Sequence, residues 1–345
     1  MRIYQAIVFT LGLVVARMSG CAPTSVSWSE NLDNEPSEHL SFVRQFSSAQ
    51  DVQREHPVVN RALDIVAGAK DAGLPIDALQ QPYSVTTDSN HRIFITDVRA
   101  GAVHVFDFVH SKYSLLRGGD RLRSPLGVAA DHDGNVYVSD IGLHTILVYD
   151  ARGKFIHYLR KSTGRESYFD SPQGIAVDAA TQHIYVCDTT RHMLIVLDKK
   201  GHVLTHFGTR GGGTRPGEFS YPTQVVAART EIAVLDSGNS RAQILDVRGH
   251  FLKEIRLPDI GNRAGLAMDN DRNIYVSDPG LNRLRVFNHD GKLLYEFGRR
   301  GAEPAQFNGI SGIWVDSGHC LYVVDTQNKR VQLFQITAPD THGCQ

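Results

Sequence analysis

Asn273–Gly301, NIYVSDPGLNRLRVFNHDGKLLYEFGRRG, contains three short apolar runs, NIYVSD, LRVF and LLYEF, separated by Pro-Gly and His-Asp-Gly turns. Runs of that length, rich in branched and aromatic residues and bounded by turn formers, read as β-strands joined by tight hairpins. The first run ends on Asp278. Counterparts end on Asp97 (RIFITD), Asp140 (NVYVSD), Asp188 (HIYVCD), Asp236 (EIAVLD) and Asp325 (CLYVVD), 42 to 48 residues apart. Each copy has a strand before it, such as PLGVAAD or PQGIAVD, and a strand after it, such as TILVYD or MLIVLD; five copies add a fourth, such as FIHYL or VLTHF.

A four-stranded sheet cannot cover both of its own faces, but six of them set radially bury those faces against one another. The expectation is an all-β chain, a six-bladed β-propeller over residues 79–336. Thirty-one glycines against two tryptophans and four methionines suit a fold made of many turns. The sixth copy stops at Ile336 without a fourth strand. His39–Ser48, HLSFVRQFSS, alternates suitably and is expected to pair beside Val331–Ile336, closing the ring and covering an edge strand. Residues 49–78 then cross into blade one, and residues 337–345 form a tail.

The runs DSGNSRAQILD and DTQNKRVQLF, with the linkers FGTRGGGTRPGEFSYPTQVVA and FGRRGAEPAQFNGISGIWVD, resemble those of NHL-repeat propellers. Asn239 and Arg241, and Asn328 and Arg330, stand three and five residues after the blade aspartate; blade five keeps Arg283, while blade one has Ala100 and Ala102 and blade two Leu143 and Thr145. Six equivalent aspartates are expected to serve the scaffold, accepting backbone N–H groups in a turn and, in several copies, the arginine that follows.

The first 21 residues, MRIYQAIVFTLGLVVARMSGC, hold an early Arg2, an apolar run too short to span a bilayer and small residues before Cys21. They resemble a bacterial lipoprotein signal (1–20). That resemblance implies lipidation of Cys21, a flexible tether over 21–38 and, since Ala22 follows the cysteine, an outer-membrane lipoprotein facing the periplasm or cell surface. A plain secretory signal or a single anchor helix would also export the domain. Cys187 reads as a buried thiol. In an oxidising compartment Cys320 and Cys344 are candidates for a disulfide.

Some relatives with this repeat are lyases, and more distant propellers are lactonases, with histidines or carboxylates around a metal at the tunnel mouth; the resemblance therefore implies a tunnel-mouth lyase or hydrolase as the alternative function. At the corresponding inner-strand position stand Tyr83, Leu126, Gln173, Thr223, Ala264 and Ser311, with no histidine or acid among them. A metal site needs several converging ligands, and the neighbouring-blade pair His144 and His192 supplies two. We expect no catalytic residue, metal or cofactor from this pattern. Tyr83 reads as a plug or a stacking ring.

The turns between second and third strands and the links between blades share one rim. Their cations, including Arg99, Arg121, Arg123, Arg191, Arg210, Arg215, Arg299 and Arg300, outnumber acids such as Asp120, Glu166, Asp170, Glu218, Asp259 and Glu303. The whole chain is near neutral, at −1. An anion-seeking face is expected, read by arginine forks. An exported chain with few aromatics in these loops points away from nucleic acid and toward an envelope protein, an anionic glycan or a lipid headgroup.

Overall fold

The computed structural model describes residues 39–53, 77–116, 121–159, 168–228 and 230–337. The signal segment, Cys21, the tether, most of the crossing segment and Cys344 lie outside the described residues.

The second strand of each blade explains the fold. Ile93–Asp97, Val136–Asp140, Ile184–Asp188, Glu231–Asp236, Ile274–Asp278 and Cys320–Asp325 are buried at every residue. A strand covered on both faces reads as an unbroken apolar run rather than an alternation. Successive side chains go to opposite faces. Val136 and Val138 therefore enter the wedge shared with blade one, and Tyr137 the wedge shared with blade three. Six apolar clusters fill the six wedges. Outer strands are mostly exposed, as along Val203–Gly208.

Six four-stranded antiparallel sheets result, five of them in plain sequence order. The exception closes the ring. Its order runs from Leu40–Phe46 to Arg330–Ile336, Cys320–Asp325 and Ile310–Val315, with Leu40 opposite Ile336 and Phe46 opposite Val331. The expected closing strand is thus in place. A register shift between Phe42 and Arg44 divides its apolar residues between two wedges. Leu40 and Phe42 pack between blades five and six, whereas Val43 and Phe46 pack between blades six and one.

The crossing segment begins as a short helix, Ala49–Gln53, under the carboxylate of Asp51, which accepts from the backbone N–H of Ser47 and Ser48. Bonds from Ala49 N–H to the Asp77 carbonyl and from Leu79 N–H to the Ser47 carbonyl then pin both ends of the excursion together.

Candidate functional site

Each blade aspartate ends its second strand, and in five blades its carboxylate accepts a backbone N–H from the link that enters the blade, while Asp278 accepts from Leu281 of its own turn. In blade four, Asp236 accepts from Asn239 Nδ2, Arg241 Nε and Gln243 Nε2 at 2.8, 2.8 and 3.1 Å. The same donors also reach the link: Asn239 to the Gly213 carbonyl, Arg241 to those of Arg215 and Glu218, and Gln243 to that of Glu218. Blade six repeats this clamp with Asp325, Asn328, Arg330 and Gln332, holding the carbonyls of Gly301, Glu303 and Gln306. All six aspartates are buried.

The other blades vary the clamp. In blade three Arg191 takes the asparagine position, bonding Asp170 at 2.8 Å and the Tyr168 carbonyl. In blade five the cation on Asp278 is Arg285, at 2.8 Å, seven residues on; Arg283, which keeps the expected spacing, pairs instead with Glu296. In blade one His104 lies 3.6 Å from Asp97. Among the described residues blade two has no such cation: Asp140 accepts only backbone N–H groups, from Arg123, Ser124, Gly142 and Leu143.

Around the axis, hydroxyls next to the blade aspartates cross to the inner strand of the following blade. Thr96 donates to the Leu126 carbonyl, Ser139 to Gln173, Thr189 to Pro222, Ser277 to Ser311 and Thr326 to Pro82. Every blade carries one serine or threonine immediately before or after its aspartate, a regularity that could have revealed these bridges. Two of the expected tunnel-mouth residues belong to this network. Ser311 donates to the Tyr83 carbonyl at 2.9 Å, and the Thr223 hydroxyl lies 2.6 Å from that of Ser237. Tyr83 and Gln173 are half-buried. Burial pushes the Tyr83 phenol above its ordinary value, and the Arg263 guanidinium acts in the opposite direction.

The two histidines considered as a metal pair do not act together. His144 Nδ1 binds the Asp170 carbonyl, and His192 Nδ1 accepts from the Tyr221 N–H at 3.0 Å, so each ties its own turn to the next blade. Among the described residues no group of three or more His, Cys, Asp or Glu could hold a metal ion. Cys187 is buried, and desolvation pushes its thiol well above the ordinary range.

On the rim, Arg99, Arg210, Arg215, Arg299 and Arg300 are exposed, whereas Arg191 is half-buried in its pair with Asp170. The link before blade four carries Arg210 and Arg215, and the link before blade six carries Arg299 and Arg300. These are the two links held by complete clamps. Arg299 and Arg300 also lie in a two-residue parallel ladder with Gln306 and Phe307. The Arg191 guanidinium holds the Asp170 carboxyl below its usual range, with Arg210 and His144 contributing to the same positive field.

Residues 169–273 match the model of a family described as a 6-bladed beta-propeller. A human NHL repeat-containing protein is 37% identical over 76 residues, which are 21% of this chain and 22% of that relative's length. Among solved structures, a streptogramin B lyase superposes with a TM-score of 0.56 at 13% identity, covering 75% of this chain and 94% of that one. A virginiamycin B lyase from Staphylococcus aureus gives 0.55 at 14%, with coverages of 75% and 96%. A gluconolactonase from Xanthomonas campestris gives 0.57 at 15%, with coverages of 75% and 87%. At these identities the likeness is one of fold.

Proposed function

We propose that this six-bladed propeller with NHL-type repeats is an exported binding module that docks an anionic partner on its arginine-bearing rim at the bacterial cell envelope. One observation carries the reading: buried clamps fix the two links that display Arg210, Arg215, Arg299 and Arg300, so exposed cations are held on rigid backbone. Arg210, Arg215 and Arg300 have no ion pair among the described residues. A guanidinium held in place loses less freedom on meeting a carboxylate or phosphate than one on a loose loop.

The address rests on two features. A bridge between Cys320 and Cys344, if formed, would fit an oxidising compartment. The lipoprotein-like segment ending in Cys21 would supply acyl chains and a tether, leaving the propeller at the membrane surface. The resemblance in fold to lyases and a lactonase does not carry their chemistry here, and the Thr223 and Ser311 hydroxyls are engaged in the axial network.

Binding of the full chain to polygalacturonate, polyglutamate and phosphatidylglycerol vesicles tests the rim. Replacing Arg210, Arg215, Arg299 and Arg300 with Gln should weaken the preferred ligand roughly tenfold and flatten its salt dependence. Equal affinities for both proteins would discard the proposal. Cys21→Ser should move the protein from the membrane to the soluble fraction, and unchanged fractionation would remove the lipid anchor.

A further inference from the structure

We propose that the cleft between blades one and two is a phosphoryl-binding site; this rests on the reading that the rim takes anions, and gives that rim a specific pocket. The cleft opens where the clamp is lost. At the three positions that carry Asn, Arg and Gln in blades four and six, blade two has Leu143, Thr145 and Leu147. Thr145 spends its hydroxyl on the Leu159 carbonyl, and Leu147 is wholly buried in the wedge. Among the described residues no side chain of the clamp type crosses to the entering link.

What remains is a cleft of about 530 Å³ whose walls include Arg99 from blade one, Arg121 and Arg123 from the link, and Leu143 from blade two. Its floor is fitted closely. A Cβ on Gly101, at φ +58°, would lie 2.7 Å from the Leu122 carbonyl oxygen, and one on Gly142 would lie 2.7 Å from Arg123 Cβ. Among the described residues the three guanidinium groups make no ion pair and no hydrogen bond, and no acid lines the cleft. By contrast, Arg191, Arg241, Arg285 and Arg330 each meet a carboxylate.

Three arginines lining one cleft, without an ion pair among the described residues, favour a ligand of more than one charge. A single carboxylate answers one fork and leaves two cations opposed, whereas a phosphoryl group brings nearly two charges and oxygens for several N–H donors. Leu122 and Leu143 offer apolar contact to whatever carries it.

Calorimetric titration of the full chain with inorganic pyrophosphate at low salt tests the site, with acetate as the carboxylate control. Substituting Arg99, Arg121 and Arg123 together with Gln should weaken pyrophosphate roughly tenfold or more, since each lost guanidinium removes charge-assisted bonds. Arg210→Gln with Arg215→Gln should leave it unchanged. A parallel arm with phosphatidylglycerol vesicles identifies a lipid as the source if the cleft variant loses vesicle binding too. Pyrophosphate that does not bind, or that binds the cleft variant as well as the wild type, overturns the site. The rim reading survives either result if Arg210, Arg215, Arg299 and Arg300 still govern polygalacturonate, polyglutamate or vesicle binding. A second variant, Leu143→Asn with Thr145→Arg, rebuilds the clamp across the cleft and should also abolish pyrophosphate binding; retention in that folded variant counts against the site.

Discussion

Arg330 shows what the repeated aspartates demand. Its guanidinium is 8% exposed and sits on Asp325, which is fully buried, while its other nitrogens hold the link before blade six and Gln45 of the closing strand. Removing one member of such a pair leaves a buried charge without compensation, so Arg330→Ala should cost about 3–5 kcal/mol in denaturant unfolding; a loss under about 1 kcal/mol would place the pair among inert surface contacts. His104 takes the glutamine position of the clamp in blade one, with Asp97 and Asp77 in its field and Tyr113 hydrogen-bonded at 2.7 Å. Burial outweighs both acids and pushes its pKa down to about 4. The unfolded chain then binds a proton that the folded chain refuses between pH 6.5 and about 4. Stability conferred by the neutral ring is complete above that window and is lost as pH falls through it, by up to about 1.4 kcal/mol per pH unit. His104→Gln should flatten this part of the stability–pH curve; identical slopes would assign the slope to other groups. The aspartate spacing was legible in the sequence because every blade needs the same turn. The partner was less so: Arg285, rather than the correctly spaced Arg283, reaches Asp278, because a cation can approach one carboxylate from alternative positions on the third strand.

At the scale of single strands, the closing segment is the element on which the ring depends. Phe46 is 2% exposed and packs against Phe106 and Phe108 of blade one, with centroids 4.9 and 5.2 Å away, so it joins the first blade as well as the last. Phe46→Ala should destabilise by about 3–5 kcal/mol on cavity grounds. Deleting residues 1–48 should leave Arg330–Ile336 as an open edge and produce concentration-dependent oligomers in size exclusion, since unpaired strand edges recruit other chains. A monomer with unchanged melting would show that the strand merely decorates the sheet. This element was readable beforehand from its alternation and from the missing fourth strand of blade six. Its register shift was not, because which wedge each apolar residue enters is set by two blades at once. The inner-strand glycines also acquire meaning only in three dimensions. A Cβ on Gly127 would lie 2.4 Å from the Gln173 carbonyl oxygen, and one on Gly312 would lie 2.6 Å from that of Tyr83. They permit neighbouring blades to approach near the axis.

Across the whole molecule, the six wedges are alike in apolar filling but unequal at the axis. Glycine stands at that inner position in blades two, three, five and six; blades one and four have Ser84 and Gln224. Thr96 still bridges blade one to blade two. From blade four to blade five, among the described residues, no hydroxyl bridge crosses, since Ser237 is hydrogen-bonded to Thr223 in its own blade. The inner strand of blade five is also short, at three residues, Leu266–Met268. That junction is joined instead on the opposite side, where Glu231 of blade four meets His289 and Arg272 of blade five at 3.0 and 3.3 Å and Lys253 donates to the His289 carbonyl at 2.6 Å. Arg272 and His289 are partly exposed, so these contacts are weakened by solvent and salt. The ring should therefore open first between blades four and five, as local opening follows the least-supported contacts. In hydrogen exchange, the amides of Leu266–Met268 should exchange before those of Ile175–Val177 in blade three, and higher salt should widen the gap. Equal protection of the two strands, or first opening between blades six and one, would mean that apolar wedge packing alone sets the stability of each junction.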